Sequence, residues 1–320
     1  MRGENGLSSR FRCPIPHEDL QASIHPKTEA RLQLNDVQWS VGGVLKWTQE
    51  FFERKGSESS RLDAEILMAH ALGIDRTRLY MDHNKPLDEE ELAGIRRLVK
   101  RRGQGEPVAY IVGSKAFWTI DLDVDARVLI PRPETEHLVE RALELLKETP
   151  DAKVVDVGCG SGCIALSIAA SKADAQVWAV DISDDALAVT KHNAHRLGLE
   201  SVHIQKSNLL ETLEGPFDYV LSNPPYIETD TIQTLMTSVK DYEPHGALDG
   251  GNDGLDVYRR LVPQAADVLT PGGYLLMEIG SEQGSALKAL LDASGSFEDI
   301  EVFVDYAQLP RVVQAKRSDS

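Results

Sequence analysis

The spacing of apolar residues changes from a helical period to a strand period about one third of the way along the chain. Between residues 39 and 112, apolar side chains recur every three or four positions in three segments, and each segment ends near a glycine. Asp88 and Glu91 have the spacing of a capping box at the start of the third segment. The pattern therefore predicts a small helical domain at residues 39–112.

Apolar and polar residues alternate more closely after this region. Residues 113–128 predict a β-hairpin linker. Short apolar strands then alternate with helical segments through residues 129–320, which is typical of an α/β domain with a doubly wound sheet. Residues 1–38 are polar and lack a sustained period, so we predict a disordered extension there. The predicted strands cover residues 153–157, 176–180, 202–205, 217–222, 273–279, 298–304 and 311–316.

Charge and apolar content narrow the class of protein. The chain has 320 residues and a formal net charge of −17, which argues against a broad nucleic-acid-binding surface. Local binding of nucleic acid by the basic residues 100–102 stays open. The alternative is the end of a helix, where the helix dipole stabilises basic residues. No stretch reaches the roughly 18 apolar residues of a membrane span, and no apolar signal-peptide core is present at the N-terminus. We therefore expect no membrane contact.

The three cysteines indicate a reducing environment. An odd number cannot form a fully paired disulfide framework, and Cys159 and Cys163 lack a second pair of ligands for zinc. We therefore predict free thiols, no metal site and a location in the cytoplasm.

A glycine-rich turn follows the first strand of the α/β region. Glycines at alternate positions permit a tight turn and close approach of a ligand to the backbone. Cys163 stands where the dinucleotide fingerprint requires its last glycine, so that fingerprint is not met. Asp181 ends the second strand, where an acid can accept hydrogen bonds from ribose hydroxyls. An ordinary turn and a helix-capping aspartate are the alternatives. The turn reads Asp156-Val157-Gly158-Cys159-Gly160-Ser161-Gly162.

A second loop, Asn223-Pro224-Pro225-Tyr226, follows the apolar strand at 217–222. Neither proline has a backbone N–H, so the loop offers mainly acceptors, namely the Asn223 side-chain oxygen and main-chain carbonyls. Such a loop beside the Tyr226 ring suits a planar NH2 group whose nitrogen is to be methylated. A plain surface turn is the alternative, because Asn-Pro often starts one.

The glycine turn and the acid together resemble the class I S-adenosylmethionine-dependent methyltransferases. This resemblance implies a Rossmann-like seven-stranded sheet whose last two strands form an antiparallel edge, with S-adenosyl-L-methionine as the cofactor. It places Asn208 at the adenine, where many relatives carry Asp; a strand-end turn residue is the alternative. The implied cofactor-binding residues are Asp156, Gly158, Cys159, Gly160, Gly162, Asp181, Ile182, Asn208, Leu209 and Asn223.

Further motifs resemble the release factor glutamine methyltransferase family, called PrmC or HemK, over roughly residues 39–317. The matching segments, besides the two loops, are Gly105-Glu106-Pro107-Val108-Ala109-Tyr110, Phe117-Trp118, Ile130-Pro131-Arg132-Pro133-Glu134-Thr135-Glu136, Glu243-Pro244, Ala247-Leu248, Asp305-Tyr306 and Arg311-Val312.

The family methylates the side-chain amide nitrogen (N5) of the glutamine in the Gly-Gly-Gln loop of class 1 translation release factors. Carried over, the resemblance implies catalytic roles for Asn223, Pro224 and Tyr226. The implied substrate-binding residues are Asn223, Pro224, Pro225, Tyr226, Phe117 and Glu134. The N-terminal helices would recognise the body of the partner, and we expect a monomer.

Alternatives remain for several of these roles. Phe117 could be a hydrophobic plug. The resemblance implies that Arg132, Glu134, Thr135 and Glu136 shape the rim near the active site, and an ordinary helix start is the alternative. Glu243 and the loop at 250–251 could cover the substrate or form a plain connection. An adenine-N6 DNA or RNA methyltransferase needs the same acceptor loop, because a flipped adenine presents a similar NH2 edge. A dinucleotide-dependent oxidoreductase and a non-catalytic binding module are less consistent with the two loops.

Overall fold

The computed structural model describes residues 39–319, so the predicted disordered extension at 1–38 lies outside the described residues. The chain divides into two compact units, the first ending at Val112 and the second beginning at Gly113.

The first unit is helical. The short helices α3 and α5 were not predicted, because six and five residues hold too few turns to show a period. The described helices are α1 (Val41–Arg54), α2 (Ser60–Leu72), α3 (Arg76–Met81), α4 (Glu89–Gly103) and α5 (Val108–Val112).

Local sequence sets the ends of these helices. At α4, the Asp88 side chain accepts from the Glu91 backbone N–H and the Glu91 side chain accepts from the Asp88 backbone N–H, so the predicted capping box is confirmed. Gly73 ends α2 with φ of 63°, a left-handed conformation that glycine adopts without strain.

The second unit contains a sheet of seven described strands, β3 (Lys153–Val157), β4 (Gln176–Asp181), β5 (His203–Lys206), β6 (Phe217–Ser222), β7 (Leu269–Glu278), β8 (Phe297–Val304) and β9 (Pro310–Arg317). Their order across the sheet is β5-β4-β3-β6-β7-β9-β8. β9 is antiparallel to both of its neighbours, and the pairs from β5 to β7 are parallel. The predicted α/β class, with its antiparallel edge, is confirmed.

Along the chain, the helices of this unit lie before and between the strands of the sheet. They are α6 (Glu136–Leu146), α7 (Cys163–Ser171), α8 (Asp184–Leu197), α9 (Thr229–Ile232), α10 (Thr237–Lys240), α11 (Asp256–Val268) and α12 (Gly284–Ser294). Leu261 of α11 and Leu287 of α12 belong to the same buried cluster as Val220 and Leu275 of the sheet. Burial of each leucine contributes roughly 1.5–3 kcal/mol to the free energy of folding, so the packing of α11 and α12 on the sheet stabilises the strands.

The fifth predicted strand begins earlier than expected, at Leu269 rather than residue 273. Pro271 and the two glycines after it predict a turn, but Leu269 pairs with Phe217 of β6 and the register shifts before the Tyr219–Tyr274 pair. This shift in register accommodates Pro271, Gly272 and Gly273, which are poor strand formers, within β7.

The predicted hairpin is present as β1 (Ser114–Phe117) and β2 (Ile120–Asp123), which pair antiparallel. It belongs to the second unit. Asn193 of α8 accepts from the Asp123 N–H at 2.8 Å and donates to the Asp123 carbonyl at 3.0 Å. Two bonds from one amide side chain therefore hold the hairpin on α8.

Across the described part of the chain, no helix combines the length and apolarity that a membrane crossing requires.

Candidate active site

The carboxyl ends of four parallel strands meet at one edge of the sheet. Val157 pairs with both Val180 and Ser222, and Ser222 pairs with Met277. The residues that follow these partners, Gly158, Asp181, Asn223 and Glu278, therefore lie side by side. Ligands bind at this edge in open α/β sheets. The register thus brings both predicted loops together.

The glycine turn leaves free space beside its backbone. Gly158, Gly160 and Gly162 have φ values of 76°, 55° and 85°, in the region that favours glycine. A Cβ atom on Gly158 or Gly160 would meet no atom within 4 Å. Side chains there would fill space that is otherwise open, so the turn forms a cradle that fits a ligand against the backbone.

Asp181 ties the second strand to this turn. One carboxylate oxygen accepts from the Gly160 N–H at 3.0 Å, and the other accepts from the Ser183 N–H at 2.9 Å. Each oxygen keeps a further lone pair for a hydroxyl donor. Ile182 follows directly with 62% of its surface exposed and offers an apolar face at the same edge.

Beneath the turn lies a buried acid, Asp156. It accepts from the Ala165 N–H at 3.0 Å, and its other oxygen has no hydrogen-bond partner in the described residues. Burial raises the pKa of Asp156 to about 7, with Asp181 contributing in the same direction. Burial likewise raises the pKa of the Cys159 and Cys163 thiols, both of which are unpaired. These sulfurs are therefore poor nucleophiles.

Asn208 and Leu209 lie beyond the end of β5. The Asn208 side-chain oxygen accepts from Arg260 at 2.7 Å, and its NH2 donates to Glu211 at 2.7 Å. The oxygen keeps one lone pair, so contact with adenine stays a prediction. Leu209 has a φ of 57°, which marks a tight turn at this point.

The second loop is held from several sides. The Asn223 NH2 donates to the Thr135 hydroxyl at 3.1 Å, and Pro224 is buried. Gln283 donates to the Tyr226 carbonyl at 3.0 Å while accepting from the Gly280 N–H at 3.0 Å. The sequence around Gln283, after β7, carries no motif that indicates a site, so sequence reasoning missed this residue.

Glu278 is the main site residue that sequence reasoning missed. It is 1% exposed, and one carboxylate oxygen accepts from the Tyr226 hydroxyl at 3.3 Å. Burial raises the pKa of Glu278 to about 7, while Thr135, Arg311 and Tyr226 oppose the rise. Burial also raises the pKa of Tyr226, so its phenol stays protonated and donates. An acid ending the apolar run of β7 was the available signal.

The loop at 248–254 packs against the Asn223–Tyr226 loop. Gly250 donates to the Ile227 carbonyl at 2.8 Å, and Ile227 donates to the Leu248 carbonyl at 3.0 Å. A Cβ on Gly250 would lie 2.8 Å from the Tyr226 Cα. Only glycine permits this close approach.

The remaining predicted residues differ in exposure. Phe117 is 2% exposed, whereas Glu134 is exposed and its charge raises the pKa of Glu278.

Arg132 donates to both oxygens of Glu243 at 2.7 and 2.8 Å, and the Glu243 side chain is 1% exposed. This ion pair joins the segment before α6 to the segment after α10. Residues 39–319 contain no group of three or more His, Cys, Asp or Glu arranged to hold a metal ion.

The fold and the paired loops define the class of protein, a class I methyltransferase. Residues 137–241 match the methyltransferase small domain family, and residues 43–113 match the PrmC N-terminal domain family. The catalytic domain of hMettl16 in complex with an MAT2A 3′UTR hairpin is similar in fold, with a TM-score of 0.51 at 16% identity, over 62% of this chain and 75% of that one.

Two curated relatives place the chain more closely. The release factor glutamine methyltransferase of Rhodopirellula baltica is 42% identical over 89% of this chain and 98% of its own length. That of Geobacter sulfurreducens is 43% identical over 86% of this chain and 96% of its own length. The chain therefore belongs to the release factor glutamine methyltransferase family and is an S-adenosylmethionine-dependent enzyme.

Proposed function

We propose that this protein transfers a methyl group from S-adenosyl-L-methionine to the side-chain amide nitrogen of the glutamine in the Gly-Gly-Gln loop of class 1 release factors. The acceptor-rich loop Asn223-Pro224-Pro225-Tyr226, at the carboxyl end of β6 beside the glycine turn, is the observation that carries the proposal. The names of the relatives support the same substrate.

The glycine turn suits the cofactor. Gly158 and Gly160 border open space, and Asp181 keeps acceptor capacity for the ribose hydroxyls. Ile182 offers an apolar surface for the adenine, and Asn208 and Leu209 are the further candidates for its edge. When bound, the cofactor supplies an electrophilic methyl group on a sulfonium.

The second loop activates the amide. An amide nitrogen is a poor nucleophile because its lone pair is delocalised. The Asn223 side-chain oxygen and the Pro224 carbonyl accept from its two hydrogens, and Tyr226 packs on the planar group. The amide nitrogen gains positive charge as its bond to the methyl carbon forms and the methyl–sulfur bond breaks, and the methylated amide then loses one proton to the solvent. Aimed oxygens stabilise this charge more than they stabilise the ground state.

The two units divide the work in this proposal. Residues 39–112 recognise the body of the release factor, residues 113–128 form the hairpin, and residues 129–320 carry out transfer. Phe117 and Glu134 contribute to the substrate side of the site. We further propose that the enzyme acts as a monomer in the cytoplasm, which agrees with the unpaired thiols of Cys159 and Cys163.

Methylation of adenine N6 in DNA or RNA is the competing activity. The basic run at the end of α4 gives it little support, because Arg101 pairs with Glu106 at 2.5 Å and Arg102 pairs with Asp63 at 2.8 Å. The net charge of −17 also opposes binding to a polyanion.

A transfer assay separates the two activities. The enzyme is incubated with tritiated S-adenosylmethionine and, in parallel, with a purified class 1 release factor, its Gly-Gly-Gln to Gly-Gly-Ala variant, and unmethylated DNA and RNA. We expect tritium on the native release factor alone. Label on nucleic acid but not on the factor, or equal label on the Gly-Gly-Ala variant, would overturn the assignment.

A further inference from the structure

One glutamine side chain joins three segments at the substrate end of the sheet. The Gln283 NH2 group donates to the Tyr226 carbonyl at 3.0 Å and to the Gly254 carbonyl at 3.2 Å. The side-chain oxygen of the same residue accepts from the Gly280 N–H at 3.0 Å. The two hydrogens of one NH2 group therefore connect the loop that contains Tyr226 to the loop at 248–254.

The orientation of the Gln283 carboxamide follows from the backbone groups around it. A backbone N–H can only donate, so the side-chain oxygen must face Gly280. The carbonyls of Tyr226 and Gly254 can only accept, so the NH2 group must face both of them. A reversed carboxamide would set its oxygen against two carbonyl oxygens and lose all three hydrogen bonds.

Helix α12 holds the backbone of Gln283 in place. Gln283 directly precedes Gly284, the first residue of α12, and its carbonyl accepts from the Leu287 N–H at 3.0 Å. Leu287 is fully buried in the cluster that includes the sheet. The Gln283 N–H donates to the Gly280 carbonyl at 2.9 Å. The side chain thus extends from a fixed helix start to two loops that lie outside the helices and strands.

The two loops are in close contact around this side chain. A Cβ atom on Gly254 would lie 2.6 Å from the Gln283 Nε2 and would also clash with the Tyr226 carbonyl oxygen. Gly254 is buried and has a φ of 70°, in the region that favours glycine. The contact therefore leaves no room for a side chain at this position, and the NH2 group of Gln283 fills the space between the two carbonyls.

We propose that Gln283 is a positioning residue, which holds the loop at 248–254 against the loop that contains Tyr226, so that the two loops form one wall of the site for the substrate amide. This inference rests on the proposed function. The Pro224 carbonyl, which is proposed to accept from the substrate nitrogen, lies two residues before the Tyr226 carbonyl in the same loop. A shift of about 1 Å in such an acceptor can lower the rate by about 100-fold.

The test compares variants of Gln283 in the full-length chain. Gln283→Glu keeps the length of the side chain and the acceptor for the Gly280 N–H, but it sets a carboxylate oxygen against the two carbonyls. Gln283→Met keeps the length and forms none of the three hydrogen bonds. Gln314→Glu is the matched control, because Gln314 is buried in β9 and its oxygen accepts from Arg141 at 2.7 Å, a bond that glutamate also forms.

Turnover is measured with saturating tritiated S-adenosylmethionine and a purified class 1 release factor. Calorimetry gives the dissociation constant of the cofactor and the fraction of chains that bind it. We expect kcat per cofactor-binding chain to fall by about 10- to 100-fold in Gln283→Glu and by a smaller factor in Gln283→Met, which adds no repulsion. The dissociation constant of the cofactor should not change in either variant, and Gln314→Glu should match the wild type.

Backbone hydrogen exchange reports the contact between the loops directly. The Ile227 N–H donates to the Leu248 carbonyl at 3.0 Å, and the Gly250 N–H donates to the Ile227 carbonyl at 2.8 Å. Both bonds join the two loops, so both amides should exchange faster in Gln283→Glu and Gln283→Met. Amides of β3 should keep their protection, because only a local opening is expected.

The inference fails by itself if the wild type methylates the release factor and Gln283→Glu keeps the wild-type kcat per cofactor-binding chain. It also fails if exchange at Ile227 and Gly250 is unchanged in both Gln283 variants. Equal losses in Gln314→Glu, or a loss of cofactor affinity as large as the loss in kcat, would overturn it too, because general destabilisation would then explain the result. A wild-type enzyme that leaves the release factor unlabelled would instead overturn the proposed function itself.

Discussion

Asp181 and Gly160 are joined by a hydrogen bond of 3.0 Å, from the glycine N–H to one oxygen of the carboxylate. The two residues are 21 positions apart and come from the ends of adjacent strands. Asp181 thus shapes the glycine turn in addition to its proposed contact with the ribose.

Replacing Asp181 with alanine should therefore weaken cofactor binding. Hydrogen bonds to a charged group contribute about 1.5–3 kcal/mol each, so the dissociation constant for S-adenosylmethionine should rise at least tenfold. Calorimetry measures this constant, and affinity for the release factor should not change. An unaltered cofactor dissociation constant would reject the ribose assignment.

Asn223→Ala should bind the cofactor normally and lose most of its transfer activity. The variant removes an acceptor that is proposed to act mainly in the transition state, and loss of such a contact lowers kcat by about 10²–10³-fold. Single-turnover transfer at saturating S-adenosylmethionine is the measurement. Turnover near the wild-type rate would contradict the proposed role of Asn223.

Asp156→Asn should make the stability of the protein less dependent on pH. The pKa of Asp156 is raised from its ordinary value near 3.8 to about 7, so the folded protein holds this proton more tightly than the unfolded chain does. Stability from this group is complete below about pH 4 and falls as the pH rises towards 7. Urea unfolding at pH 5 and pH 8 should show a smaller difference for Asp156→Asn than for the wild type, and an equal difference would refute the assignment.

Arg132→Met should destabilise the protein more at pH 8 than at pH 5. The substitution leaves the Glu243 carboxylate buried without its partner, and burial already raises the pKa of Glu243. The penalty grows as this carboxyl ionises, and an uncompensated group of this kind costs about 1–3 kcal/mol. A glutamine at position 243 carries no charge at either pH. The double variant Arg132→Met, Glu243→Gln should therefore recover part of the stability that Arg132→Met loses at pH 8. Equal losses at both pH values for Arg132→Met would count against this account.

Much of the local structure follows from patterns within a few residues. The capping box at Asp88, the glycine turn after β3 and the strand at 217–222 are all found where the sequence predicts them. Each depends on neighbours close in the chain, such as a side chain that reaches its own helix start. Short elements such as α3 and α5 escaped prediction because they lack a measurable period.

The sequence by itself determined the α/β class, the two loops and the chemistry that their residue types favour. Only the tertiary structure decided which distant groups surround those loops. Thr135 reaches Asn223 across 88 positions and Glu278 reaches Tyr226 across 52. The insertion of β9 between β7 and β8 is likewise a result of packing. Such partners depend on strand order and on the burial of polar groups, and no local period of hydrophobic residues encodes either.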